Sequence, residues 1–116
     1  MPFELQWNVF LARLDPAEGS EQKGTRPVLV ISAEDFNAVM SNLTVLPLTS
    51  RKEGRKVYPN EVLVRAGTAG LTADSIVLCH QIRTISKTRL ANALGPISSP
   101  QLRQAVRLAV RFHLDF

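Results

Sequence analysis

The chain has one cysteine, two histidines, one tryptophan and one tyrosine in 116 residues, and no apolar run long enough to cross a bilayer. With no second cysteine, an intramolecular disulfide is excluded. Cys79 sits in the apolar run Ile76-Val77-Leu78-Cys79 and is expected to be a buried structural thiol. The opening Met1-Pro2-Phe3-Glu4 lacks a basic segment followed by an apolar one, so no secretory signal is expected there. No internal repeat or low-complexity linker interrupts the chain, which excludes a repeat array. Only His80 and His113 offer an imidazole for proton transfer, and neither is close in sequence to the polar loop described below.

What is present reads as one globular domain spanning residues 1–116. The hydrophobic content of 45% and charged content of 21% are ordinary for a soluble protein of this size. Lys and Arg outnumber Asp and Glu 14 to 10, a formal charge of +4 that favours polyanionic partners, either nucleic acid or an acidic protein. Arg51, Lys52, Arg55 and Lys56 crowd one segment, and Arg103, Arg107 and Arg111 recur at four-residue spacing. Either group could touch phosphates or stand as a solvated face, the second being the commoner state of a helical arginine stripe.

The most informative segment is Gly19-Ser20-Glu21-Gln22-Lys23-Gly24-Thr25-Arg26-Pro27, which runs directly into Val28-Leu29-Val30-Ile31. Glycine at both ends allows backbone angles closed to other residues, and Pro27 biases Arg26 towards an extended conformation. Arg26 is therefore delivered in a held geometry to the start of a buried strand, as a phosphate site requires. The competing reading is a surface ion pair with Glu18 or Glu21.

The remaining pattern is mostly strand. Segments 7–14, 28–31, 43–48, 60–65, 74–80 and 92–94 have strand character, with Gln81 to Ile85 continuing or bending the fifth. Pro47 is expected at an edge or an exit from the sheet. The third and fourth strands are expected to form a hairpin with a long charged tip, Val62 and Val64 facing inward and Glu61 and Leu63 outward. Ser32 is a candidate N-cap for a short helix over 33–37 with Phe36 towards the core. After Ser99-Pro100 the period becomes helical, with Leu102, Ala105, Val106, Ala109 and Phe112 on one face. The fold expected is mainly β with a C-terminal helix, a small, strongly curved antiparallel sheet or barrel.

Leu14-Asp15-Pro16, Gly19-Ser20-Glu21-Gln22, Arg26-Pro27-Val28-Leu29-Val30, Pro47-Leu48-Thr49-Ser50-Arg51, Asp74-Ser75, Gln81-Ile82-Arg83-Thr84-Ile85 and Lys87-Thr88-Arg89-Leu90 follow in order along nearly the whole chain. In that order and spacing the sequence resembles the MazF/PemK toxins. The resemblance implies an SH3-like, CcdB/PemK-type antiparallel barrel acting as a cytoplasmic homodimer. It implies cleavage of single-stranded RNA at short motifs, with no metal or cofactor. It further implies inhibition by a cognate acidic antitoxin, and an indirect DNA contact through that antitoxin. It makes Arg26 and Thr49 the catalytic pair and places Ser20, Glu21, Arg51, Ser75 and Gln81 along the RNA path. Trp7-Asn8 stands where the family usually has Gly-Asp, which removes a carboxylate from the start of the first strand.

Metal-free RNA cleavage of this kind directs the 2′-hydroxyl at its own phosphorus and leaves a 2′,3′-cyclic phosphate and a 5′-hydroxyl. Arg26 suits stabilisation of the phosphorane oxygens. A guanidinium stays protonated at neutral pH, so it is a poor general base without help. Thr49 suits positioning, its hydroxyl able to donate or accept. Trp7, Phe10 and Phe36 read as core aromatics, and Tyr58 beside the charged loop reads as the better candidate for stacking on a base. The rival function is a non-enzymatic CcdB-like poison that binds DNA gyrase; Arg26, Thr49 and the lack of a C-terminal Trp-Gly-Ile oppose it. A silent member that only binds RNA or antitoxin is the third.

Overall fold

A computed structural model describes residues 4–116. Seven strands and two helices follow in the order β1 (Asn8–Arg13), β2 (Thr25–Val30), α1 (Glu34–Val39), β3 (Asn42–Ser50), β4 (Glu61–Val64), β5 (Ser75–Leu78), β6 (Arg83–Ser86), β7 (Leu90–Pro96) and α2 (Pro100–Leu114). All strand pairs are antiparallel, in the order β4-β5-β3-β2-β1-β7, with β6 on β3. Mainly β with a C-terminal helix is thus the observed class.

The apolar run Val28-Leu29-Val30 is buried on both faces, because β2 lies in the middle of the sheet between two cores. Side chains alternate across a strand, so neighbours in sequence serve different cores. Val9, Leu29, Leu46, Leu48 and Val77 join Val106 and Ala109 of α2 in one cluster. Phe10, Ala12, Val28, Val30, Val45 and Ile85 form the other.

The strand order leaves β4 and β7 as ends, and the turn Thr68–Gly70 that follows β4 packs on β7. It packs so tightly that a Cβ on Gly70 would lie 2.2 Å from the Leu94 carbonyl oxygen.

Several local expectations are corrected. The third and fourth strands do not form a hairpin: β5 lies between β3 and β4 and pairs with both. Pro47 is inside the sheet, opposite Val28, where β3 changes partners. On its other side β3 pairs with β6 through Val45 and with β5 from Leu48, so Leu46 and Pro47 fall at a break in that ladder. A missing amide donor is least costly there. Of the two readings for Gln81 to Ile85 the bend holds: a helical turn at Cys79–Gln81 ends β5 at Leu78 and turns the chain into β6.

Phe36 is 65% exposed, not in the core. Asn37 is buried instead, donating from Nδ2 to the Ser32 carbonyl at 2.8 Å. Ser32 does not cap α1; the N-cap is Ala33, and the Ser32 hydroxyl bonds the Asn37 amide oxygen and accepts from the Thr44 N–H at 3.0 Å. Ser99 caps α2 as expected, accepting from the Leu102 N–H at 3.2 Å. Phe112 is exposed, so the buried stripe of α2 ends near Val110. Trp7 is a core residue with Arg103 and Arg107 over its ring at 5.4 and 5.1 Å, so those arginines are not simply solvated.

Candidate active site

The ladder between β2 and β3 ends at the pair Val28–Pro47, beyond which β3 pairs with β5 instead. Arg26 and Thr49 each lie two residues beyond that last pair, Arg26 still paired with Ala12 of β1 and Thr49 with Ile76 of β5. Alternation puts both on the face of Val28 and Val45. Two residues 23 positions apart in sequence thus flank the mouth where the strands part. Arg26 is exposed and Thr49 half-buried.

No carboxylate neutralises Arg26 among the described residues. Its Nε donates to the Lys23 carbonyl at 3.1 Å, which orients the guanidinium and leaves both Nη atoms without a partner among the described residues. The ion pair with Glu18 or Glu21 does not form. Glu21 instead accepts from the Glu18 N–H at 2.6 Å, a contact within the loop. A planar donor pair aimed outward, with its charge uncompensated, can receive two oxygens of a phosphate.

The loop that carries Arg26 is tied down at its base. Gly24 donates its N–H to Asp15 Oδ1 at 3.0 Å and accepts from the Leu14 N–H at 2.9 Å. Gln81 reaches across from the turn after β5, its Oε1 accepting from the Gln22 N–H at 2.8 Å and its Nε2 donating to the Ser20 carbonyl at 3.3 Å. The structure thus joins Gln81 to Ser20 and leaves the Ser20 and Glu21 side chains on the exposed rim. Beside this loop an open polar groove of about 640 Å³ is lined by Arg13, Asp15, Thr25, Ser86, Thr88 and Arg89 among others.

Arg51 lies just past β3, its N–H donating to the Asp74 carbonyl at 2.8 Å and its Nε to the Arg55 carbonyl at 3.1 Å. Ser75 faces Ser50 across the β3–β5 pair but is buried, with its hydroxyl turned to the Ala73 carbonyl at 2.9 Å. Of the residues expected along an RNA path, it is the least presented to a ligand.

Glu61 is the residue the alternation pattern misplaced. It is 6% exposed, not outward facing. Arg55 grips it with both Nη atoms at 2.9 Å each, His80 Nε2 lies 2.9 Å from Oε2, and the Tyr58 N–H donates at 3.1 Å. The Arg55 fork outweighs the cost of burial and holds the Glu61 carboxyl down at about 2. The same pair raises Arg55. The nearest legible signal was an arginine six residues upstream of an acidic side chain at the start of β4. His80 is committed to Glu61 and makes an edge contact with His113 at 6.2 Å. Cys79 is fully buried, and burial pushes its thiol up to about 12. No group of three His, Cys, Asp or Glu side chains able to hold a metal occurs among the described residues.

Residues 5–113 match the family model described as the PemK-like, MazF-like toxin of type II toxin-antitoxin systems. The chain belongs to that family. It is 41% identical over 107 residues to endoribonuclease MazF9 of Mycobacterium tuberculosis, covering 88% of each chain. It is 33% identical over 109 residues to endoribonuclease MazF of Staphylococcus saprophyticus, covering 91% of this chain and 90% of that one. The crystal structure of MazF from Deinococcus radiodurans superposes with a TM-score of 0.79 at 28% identity, covering 96% of each. Within this toxin family, the mouth between β2 and β3 is the candidate active site.

Proposed function

We propose that this chain is a single toxin domain that cuts single-stranded RNA at short sequence motifs and acts as a cytoplasmic homodimer. A cognate acidic antitoxin restrains it and supplies any DNA contact. Support comes from family membership and from one observation above the rest: Arg26, whose Nη atoms have no partner among the described residues, lies just past the last β2–β3 pair, as does Thr49.

In this reading the substrate phosphate sits between the two. Arg26 donates to the phosphoryl oxygens as negative charge builds on them, and its link to the Lys23 carbonyl fixes the guanidinium plane beforehand. Thr49 uses its hydroxyl to orient the 2′-hydroxyl or a phosphate oxygen. The attacking 2′-oxygen forms a bond to phosphorus as the bond to the 5′-oxygen breaks, giving a 2′,3′-cyclic phosphate and a 5′-hydroxyl. No metal takes part in this scheme.

The test is incubation of the purified protein with long single-stranded RNA in EDTA, with the cut ends mapped. Discrete cuts with 5′-hydroxyl ends are expected, and intact RNA would reject the proposal. Arg26→Ala should fold normally and cut about 100- to 1,000-fold more slowly, the cost of losing one donor to a developing oxyanion. A variant that cuts at the parental rate would remove Arg26 from the chemistry even if the parent is a ribonuclease.

A further inference from the structure

The segment between β3 and β4 carries Lys56 and Tyr58, both exposed, with the Lys56 ammonium 5.2 Å from the centre of the Tyr58 ring. Tyr58 keeps 51% of its surface open. An exposed aromatic ring on a loop is usually costly to order. This one is pinned from beneath.

The pin is the buried Glu61 carboxylate. Its Oε1 accepts the Tyr58 N–H at 3.1 Å and Arg55 Nη1 at 2.9 Å, and the Tyr58 carbonyl accepts the Glu61 N–H at 2.9 Å. Arg55 Nη1 also donates to the Lys56 carbonyl at 2.7 Å, so the backbone is fixed on both sides of Val57. The Arg55 carbonyl in turn receives Arg51 Nε at 3.1 Å, and Arg51 directly follows the end of β3 that carries Thr49. A short chain of hydrogen bonds therefore runs from Arg51, just past β3, to the backbone of Tyr58.

We propose that Lys56 and Tyr58 form a stacking subsite for an unpaired base of the RNA substrate, with Glu61 as its positioning residue. This rests on the ribonuclease reading above. The Lys56 ammonium lies over one face of the ring, so a base takes the other and the cation meets the adjoining phosphate, a combination that holds single strands without reading their sequence. Single-stranded RNA fits the surface better than an acidic protein tail, because carboxylates match the lysine but leave the ring unused. A platform fixed before binding also loses less conformational freedom when the ligand arrives.

Tyr58 is the only tyrosine, so 3-fluorotyrosine labels this site alone. The probe is a short mixed-sequence RNA with 2′-O-methyl groups throughout, which lacks the attacking hydroxyl. Its addition should shift the fluorine resonance. Tyr58→Ala should bind this RNA roughly 5- to 150-fold more weakly by anisotropy, the range set by stacking of one base. Tyr58→Phe should recover the affinity lost in alanine, and Glu61→Gln should weaken binding while the variant still folds. An unmoved resonance, or parental affinity in Tyr58→Ala, overturns the subsite. So does a loss confined to polyglutamate with RNA binding unchanged, which would assign the surface to an acidic protein. A parent that neither binds nor cuts RNA overturns the functional reading and this proposal together; a parent that cuts RNA while Tyr58→Ala binds normally overturns this one alone.

Discussion

Glu61 shows how one residue can organise a site and stay invisible in a sequence. Strand alternation assigned it to solvent, yet its side chain is buried because Arg55, six residues before it, and His80, nineteen after it, converge on it. Neither partner is implied by periodicity. Its carboxyl is held at about 2, below the usual carboxylate value, chiefly by the Arg55 fork. A depressed folded-state value means that this stabilisation is complete above the unfolded value near 4.5 and is lost as pH falls towards 2. The size is about 3 kcal/mol at neutral pH. Urea denaturation between pH 6 and pH 2 should show the parent losing stability across that acid interval. Glu61→Gln should start less stable at pH 6 and fall less steeply, since it has no carboxylate to protonate there. Equal slopes would show that the Arg55 fork carries little of the acid dependence.

Among the elements, those with local signatures were legible. The capped helix after Ser99, the buried run at Val28 and the loop delivering Arg26 each declare themselves within a few residues. Partner choice was not legible. The order β4-β5-β3 places a later strand between two earlier ones, which no pattern within β3 or β4 can reveal. Pro47 misled for the same reason: proline marks a gap in a ladder, and this gap lies inside the sheet where β3 trades β6 for β5. That Arg26 and Thr49 both fall just past the last β2–β3 pair likewise depends on the register of a long-range ladder. The turn at Gly70 offers a test of how the sheet is completed. Alanine there has to adopt φ +73° and thrust its Cβ against the rigid Leu94 backbone. We expect Gly70→Ala to cost about 2 to 4 kcal/mol in urea denaturation, combining overpacking with a left-handed backbone. Gly54→Ala is the control, with φ +77° and open space around the new methyl. It should cost only about 1 kcal/mol. Similar losses in both would mean that the turn does not press on β7.

On the scale of the whole molecule, the two cores account for both faces of β1, β2 and β3, and α2 covers one of them with Val106 and Ala109. That leaves the end of α2 unused. Leu108 and Phe112 stand one turn apart, 52% and 63% exposed, and Phe116 follows just past the end of the helix. Single exposed apolar groups are ordinary, but large ones recurring at four-residue spacing make a candidate contact surface. A two-fold dimer would bring each such patch onto its own copy, and a stable one needs about 800 Å² per partner. We expect the protein to sediment as a dimer at micromolar concentration and Phe112→Glu to shift it to monomer, because two carboxylates would meet near the axis without partners. Phe36→Glu tests another apolar patch, where Phe36 and Val39 of α1 and the adjoining Met40 are exposed, and should leave the dimer intact. If Phe36→Glu dissociates it and Phe112→Glu does not, the two-fold axis lies at α1. A monomer in the parent at every concentration would reject the homodimer proposed above.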